Sequence, residues 1–220
     1  MASNGAFDYT VVMPTIPGRE ELRARALASV WAQTRPVEAV AIINDTRGLG
    51  AAWARNLGAL MTCTGWILLL DDDDVLYPEH AEVLLGEAER TGAGLVYSYP
   101  EFVGTMPDGR PARDPLAVVN DQGHLIPSPI GVPFGPRQAQ WLRQVGNFIP
   151  VCYAVRTELW EEVGGMPEPW TPDWPRCCED HGFLIRLLDA GATFHNAQRV
   201  TWQYHYHAGN TGGGYNRPSA

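Results

Sequence analysis

The chain has 220 residues, 45% hydrophobic and 19% charged, with a formal net charge of −9 and a pI near 5.1. That length suits one domain with a substantial core, no apolar stretch approaches the roughly 18 residues of a membrane span, and the acidic balance argues against an extended basic groove for nucleic acid. All 16 basic residues are Arg, which excludes catalytic lysine chemistry and leaves any phosphate clamp to Arg, backbone amides or metal.

The amino-terminal MASNGAFDYT has neither the basic nor the apolar segment of a signal peptide, so a cytoplasmic location is expected. Tyr9 to Met13 is a short β-rich run stopped by Pro14 and Pro17, and Arg19 to Gln33 carries Leu22, Ala26, Leu27 and Val30 at helical spacing. Val37 to Ile43 is a second strand ending at Asn44-Asp45, followed by Gly48-Leu49-Gly50 and a helix from Ala51 to Met61. Trp66 to Leu70 is a third strand, Pro78 to Arg90 a helix with Pro at an early position, and Gly94 to Tyr99 a fourth strand. This alternation predicts a parallel sheet with helices on both faces.

From Pro100 to Pro150 prolines and glycines recur too often for long helices, apart from a short one near Arg137 to Gln144, and Met106-Pro107-Asp108-Gly109 reads as a hairpin turn. Val151 to Val155 restores a strand. Thr157 caps a short helix to Val163 that Gly164-Gly165 stops. Glu179 to Ala190 is helical, Ala192 to Tyr206 holds one or two strands, and the Gly-rich tail after Gly209 is expected to be mobile. Cys63, Cys152, Cys177 and Cys178 lack zinc-ligand spacing, and an adjacent pair makes a strained disulfide; they read as reduced, small buried residues.

Asp71 to Asp74 directly follow the apolar run Trp66 to Leu70, which delivers four carboxylates together at the carboxyl end of a strand. Adjacent negative charges repel, and a divalent cation removes the problem; oxygen-only ligands favour Mg²⁺ or Mn²⁺. The competing reading is a solvated acidic turn that caps the helix near Pro78. Gly48, Gly50 and Arg55 at a helix start offer amides and a guanidinium to phosphate, although Arg55, like Arg19, equally suits a structural salt bridge. Alternation in QYHYHAGNTGG places His205 and His207 on one strand face. Trp141, Tyr153, Trp170 and Trp174 are either core or flat surfaces for a sugar ring or acceptor.

The motifs VVMPT, IINDT, GLGAAWARNLGA, LLLDDDD followed by Pro78, VGGM before CCED, and EDHGFLIRLLDAG occur in that order. Together, from about Val11 to Gly209, the chain resembles the family 2 glycosyltransferases of GT-A fold. The resemblance implies one domain over residues 1–220, with a Rossmann-like, mostly parallel central sheet flanked by helices and a smaller acceptor-side β region. Residues 9–99 would form the nucleotide-sugar half, 100–209 the acceptor-binding and catalytic half, and 210–220 a tail. It further implies that Asp71-Asp72-Asp73 is the DxD element, with Asp71 and Asp72 helping to hold the donor and Asp73 on the metal, and that His207, with His205 second, completes the metal site. Pro14-Thr15 and Asn44-Asp45 would line the base, with Asp45 able to accept from a uracil or other base N–H, or else serving as an ordinary turn residue. Asp180 would be the general base and Glu179 its neighbour at the acceptor, unless both simply complement the helix dipole.

The expected activity is metal-dependent transfer of a single sugar from a nucleoside diphosphate sugar, a UDP-sugar by preference, to a hydroxyl, with inversion as the leading outcome and retention as the alternative. The QxxRW motif of processive synthases is absent. The acceptor stays open between a glycan, a small metabolite, a protein side chain and a hydroxylated DNA base. Two other readings compete: a sugar-nucleotide pyrophosphorylase, against which the lack of Lys speaks, and a binding module without turnover, against which Glu179-Asp180 speaks.

Overall fold

A computed structural model describes residues 7–105, 109–112, 118–119, 125–126, 132–169 and 178–207. In chain order the elements are β1 (Tyr9–Thr15), α1 (Glu20–Trp31), β2 (Ala39–Asn44), α2 (Ala51–Leu60), β3 (Trp66–Leu69), β4 (Val75–Leu76), α3 (His80–Thr91) and β5 (Leu95–Gly104). They continue with β6 (Val118–Val119), β7 (Leu125–Ile126), α4 (Pro136–Gln144), β8 (Tyr153–Arg156), α5 (Thr157–Glu162), α6 (Glu179–Asp189) and β9 (Phe194–Tyr206).

Seven strands form one sheet in the order β2-β1-β3-β8-β5-β9-β4, and β6 pairs with β7 as a separate antiparallel ribbon. β1, β2, β3, β5 and β9 run in one direction, whereas β8 and β4 oppose their neighbours. The mostly parallel sheet expected from the β-α alternation is therefore present, with β8 wedged antiparallel between β3 and β5. β8 enters after the long excursion of residues 105–152, which carries α4 and the β6–β7 ribbon and is long enough to return in either direction.

Each strand sends alternate residues to opposite faces. Val12, Ile67, Leu69, Tyr97, Tyr153 and Val155 share one core with Leu142 of α4, Trp160 of α5 and Phe183, Leu184 and Leu187 of α6. Val11, Met13, Trp66, Leu68, Leu70, Val96 and Ala154 share the other with Ala26 and Val30 of α1 and with Ala81, Leu84, Leu85 and Ala88 of α3. All seven residues of β1 are buried. α2 lies tight against β1 because Gly58 has no side chain; a Cβ there would sit 2.5 Å from Val12 Cγ1.

Three local expectations change in the structure. Thr157 is the first residue of α5 rather than its cap, and its hydroxyl donates instead to the Thr64 carbonyl at 2.8 Å. Helix α3 opens at His80 with Glu79 at the cap position, so Pro78 precedes it and none of the four aspartates caps it. Cys63 and Cys178 are exposed and Cys152 alone among the described thiols is buried. Of the one or two strands expected over residues 192–206 there is one, Phe194–Tyr206, irregular where Gln198 takes a φ of 53° and the β5–β9 register slips. Residues 106–108 of the expected hairpin turn, Cys177 and the tail after Gly209 lie outside the described residues; the flanking Thr105 and Pro111 do form an antiparallel bridge. Among the described residues, no helix is long and apolar enough to cross a membrane.

Candidate active site

The carboxyl ends of β1, β2 and β3 converge because the three strands are parallel neighbours. β3 and Leu70 are wholly buried, and the chain then turns at Asp71 to Asp74, with the Asp74 N–H donating to the Asp71 carbonyl at 3.2 Å. The turn is not a solvated acidic surface. Asp72, Asp73 and Asp74 are all buried.

The four carboxylates divide among several partners, with Arg19 shared by two of them. Asp72 accepts from the Thr15 hydroxyl at 2.6 Å and from Arg19 at 2.7 Å. Asp73 accepts from Arg19 at 3.1 Å, lies 3.0 Å from His207 Nε2, and offers its carbonyl to Arg25 at 2.8 Å. Asp74 accepts the His205 backbone N–H at 3.0 Å. Asp71 accepts from Arg55 Nη2 at 2.6 Å, and the other arm of Arg55 reaches Glu179 at 3.4 Å. β9 thus brings both predicted histidines to the aspartate turn, His205 through its backbone and His207 through its ring.

Charge remains in excess there. Burial, with Asp71 beside it, holds the Asp73 carboxyl above its ordinary range against the pull of His207 and Arg19. Burial, with Asp71 and Asp73 adjacent, holds Asp74 well above it, against the His205 N–H and Arg25. Carboxylate oxygens of Asp71, Asp73 and Asp74 lie within 4.8 Å of one another. A set of hard oxygen donors that is short of positive charge fits Mg²⁺ or Mn²⁺. These three would hold the ion, with His207 beside Asp73. Asp72 is turned away toward Thr15 and Arg19, while Asp74, absent from the DxD reading, faces the cluster.

At the adjacent strand end Asn44 is exposed and Asp45 is 5% exposed. Asp45 binds its own loop: it accepts from the Arg47 N–H at 3.1 Å and the Gly50 N–H at 2.7 Å. Burial opposes its charge, but the amides of the 47–50 loop outweigh burial and hold its carboxyl below the ordinary range. The Gly50 amide is directed at Asp45, and its φ of 98° suits only glycine. Pro14 is buried within β1.

Arg55 occupies the centre. Burial works against its charge, yet Asp71 and Glu179, with Asp180 nearby, outweigh it and hold the guanidinium above its ordinary pKa. It lies between the aspartate turn and the amino-terminus of α6, so the two acidic motifs, 108 residues apart in sequence, share one site. Asp180, in the first turn of α6, accepts from Asn147 Nδ2 at 2.9 Å and from the His181 N–H at 2.7 Å. Sequence reasoning passed over Asn147; the only signal was a polar residue in the otherwise apolar Phe148-Ile149 neighbourhood.

Tyr153 is fully buried, which is the core alternative and not a surface for a sugar. β-strand alternation turns it into the core, where its hydroxyl lies among Asp180, Arg55, Asp71 and Glu179 without a hydrogen-bond partner among the described residues. Trp141 is 38% exposed on α4. Trp170 and Trp174 lie outside the described residues.

The sequence and the fold resemble those of known proteins. The chain is 27% identical over 150 residues to an "Uncharacterized glycosyltransferase" of Haemophilus influenzae, covering 68% of this chain and 44% of that one. Its fold resembles the crystal structure of S. aureus TarS residues 1–349, with a TM-score of 0.66 at 13% identity over 90% of this chain and 60% of that one. The same TarS segment in complex with UDP-GlcNAc gives a TM-score of 0.67 at 13% identity over 92% of this chain and again 60% of TarS. The chain thus spans under two thirds of either relative's length. The model of glycosyl transferase family 2 matches residues 23–164, more than half of the sequence, and the chain belongs to that family.

Proposed function

We propose that the protein transfers one sugar from a UDP-sugar to an acceptor hydroxyl, with a divalent cation at Asp71, Asp73 and Asp74 and with Asp180 as general base. The observation that carries this reading is the Arg55 bridge, which sets the aspartate turn and the Glu179-Asp180 pair side by side. The UDP-GlcNAc complex of TarS, whose fold this chain shares, supports the choice of donor.

The donor cleft in this proposal runs from Pro14, Thr15, Asn44 and Asp45 at the base to Asp71 and Asp72 at the sugar diphosphate, whereas Gly50 and Arg55, expected at phosphate, are committed to Asp45 and to the Asp71–Glu179 bridge. Thr15 and Arg19 pre-set the Asp72 rotamer, and the 46–50 loop is held by Asp45, so little ordering remains for binding to supply. When bound, the cation would act as a Lewis acid on the diphosphate oxygens. Asp180 takes the proton of the acceptor hydroxyl as its oxygen forms a bond to the anomeric carbon and the carbon–oxygen bond to diphosphate breaks. Attack from the face opposite the leaving group inverts the anomeric centre. Glu179, tethered by Arg55, stands next to the base at the acceptor side. A glycan, a small metabolite, a protein side chain or a hydroxylated DNA base supplies the hydroxyl.

Calorimetric titration of UDP and GDP with Mn²⁺, with EDTA, and into Asp73→Asn tests the donor site. Tight UDP binding that needs Mn²⁺ and is lost in the variant is expected; no nucleotide binding under any condition overturns the reading. Turnover of a panel of UDP-sugars, abolished in Asp180→Asn with UDP affinity kept, separates an enzyme from a binding module.

A further inference from the structure

We infer that Asn147 is the positioning residue of the base: its side-chain amide fixes the rotamer of Asp180 and selects the oxygen edge presented to the acceptor. The inference rests on the assignment of Asp180 as general base.

Asn147 is 7% exposed and is followed by Phe148 and Ile149, both in the core, so its backbone has no freedom to drift. Its own amide orientation is determined, because Oδ1 accepts the Ile149 N–H at 2.9 Å. The NH₂ end must then face the other way, and it donates to Asp180 Oδ2 at 2.9 Å. The second oxygen, Oδ1, accepts the His181 N–H at 2.7 Å. A carboxylate held on both oxygens by donors from two elements cannot rotate, yet with about four lone-pair sites it keeps capacity for an incoming proton.

The platform behind Asn147 is equally constrained. The ring of His181 lies 2.6 Å from the Leu142 carbonyl, and Leu142 is buried at the end of α4. The segment 142–147 therefore grips the first turn of α6 at two points. A Lys or Arg here would pair with Asp180 as a salt bridge and a carboxylate would repel it; a neutral donor orients it while leaving it available. Fixing a reacting group on rigid elements removes the conformational cost of reaching the productive geometry.

Other charges around Asp180 are Arg55 from α2, the Tyr153 hydroxyl from β8, and Cys178 and Glu179 on its own segment. They are unchanged in the variants below, so a difference between variants reports on Asn147.

Asn147→Leu and Asn147→Asp are compared with wild type and with Asp180→Asn. Asn147→Asp keeps an acceptor for the Ile149 N–H and so serves if the leucine variant fails to fold. Three quantities are read: Mn²⁺-dependent UDP affinity, kcat for release of UDP from the turned-over UDP-sugar with water or acceptor, and the thermal midpoint. UDP affinity is expected to stay within twofold, and kcat to fall by roughly ten- to a hundredfold through lost orientation. In Asn147→Asp a carboxylate replaces the amide donor opposite Asp180 Oδ2, so kcat should fall at least as far as in Asn147→Leu while UDP affinity is kept. A purely structural tie between α4 and α6 would lower the thermal midpoint and leave kcat in place. A kcat within twofold of wild type in both variants, while Asp180→Asn is inactive, overturns the inference alone. An active Asp180→Asn removes the base assignment first, whatever Asn147 does.

Discussion

Arg55→Met separates an internal ion pair from a phosphate ligand. The guanidinium is 4% exposed and its two arms lie 2.6 Å from Asp71 and 3.4 Å from Glu179, whose side chains keep 32% and 26% exposure. Removing one partner of a buried ion pair costs about 3–5 kcal/mol because the other is left uncompensated. Here two carboxylates are left, but both retain contact with water, which screens them toward the weak surface limit. A loss of about 2–3 kcal/mol is therefore expected. With a urea slope of about 1–3 kcal/mol/M, the unfolding midpoint should fall by about 1 M. Asp71→Asn placed on Arg55→Met removes one of the orphaned charges and should recover about 1 kcal/mol, whereas the same change in the wild type removes a partner and destabilises. This reversal is the coupling that a double-mutant cycle measures. If Arg55→Met unfolds within about 0.5 kcal/mol of wild type in the absence of nucleotide, and only its UDP affinity falls, Arg55 is a ligand for phosphate and the bridge carries no stability.

His80 is fully buried with Nδ1 2.7 Å from the Thr201 hydroxyl, and burial, slightly opposed by Thr201, holds it down to about 3. Below about pH 6.5 the unfolded chain binds a proton that the folded one refuses, so stability should fall with pH by about 1.4 kcal/mol per unit. Between pH 6.5 and 5 that is about 2 kcal/mol, and urea unfolding of His80→Gln should lack this component; identical pH slopes in the two proteins would sink the idea. Asp74→Asn keeps an oxygen for the His205 N–H but removes a buried charge crowded by its neighbours. In EDTA its thermal midpoint should equal or exceed that of wild type, and its stabilisation by Mn²⁺ should shrink sharply. A destabilised variant with an intact Mn²⁺ response would place the cation elsewhere. Gly58→Ala gains about 1 kcal/mol of helix propensity but forces its Cβ against Val12 at 2.5 Å, which costs about 1–3 kcal/mol. Net destabilisation up to about 2 kcal/mol is expected by denaturant titration, relieved by Val12→Ala if that contact is the cause.

Local pattern was enough to place most elements, because their signals are short-range. The β-rich run in Tyr9–Thr15 and the continuous apolar run in Trp66–Leu69, helical spacing in Glu20–Trp31, and the Gly164-Gly165 stop are each readable within a few residues. The Asp71 to Asp74 run and Glu179-Asp180 were equally visible, since adjacent like charges after a buried strand or at a helix start have few other uses. What one dimension could not carry is direction and partnership. The antiparallel entry of β8 depends on where a 48-residue excursion, residues 105–152, returns to the sheet. Burial of Tyr153 depends on which face of β8 meets α6. Arg55 read equally well as a phosphate ligand or a salt-bridge residue until α2, the aspartate turn and α6 were brought together, and Asn147 had no motif at all. The role of such a residue is set by the atoms within 3 Å of it, and those come from segments that only the packing of the two cores places side by side.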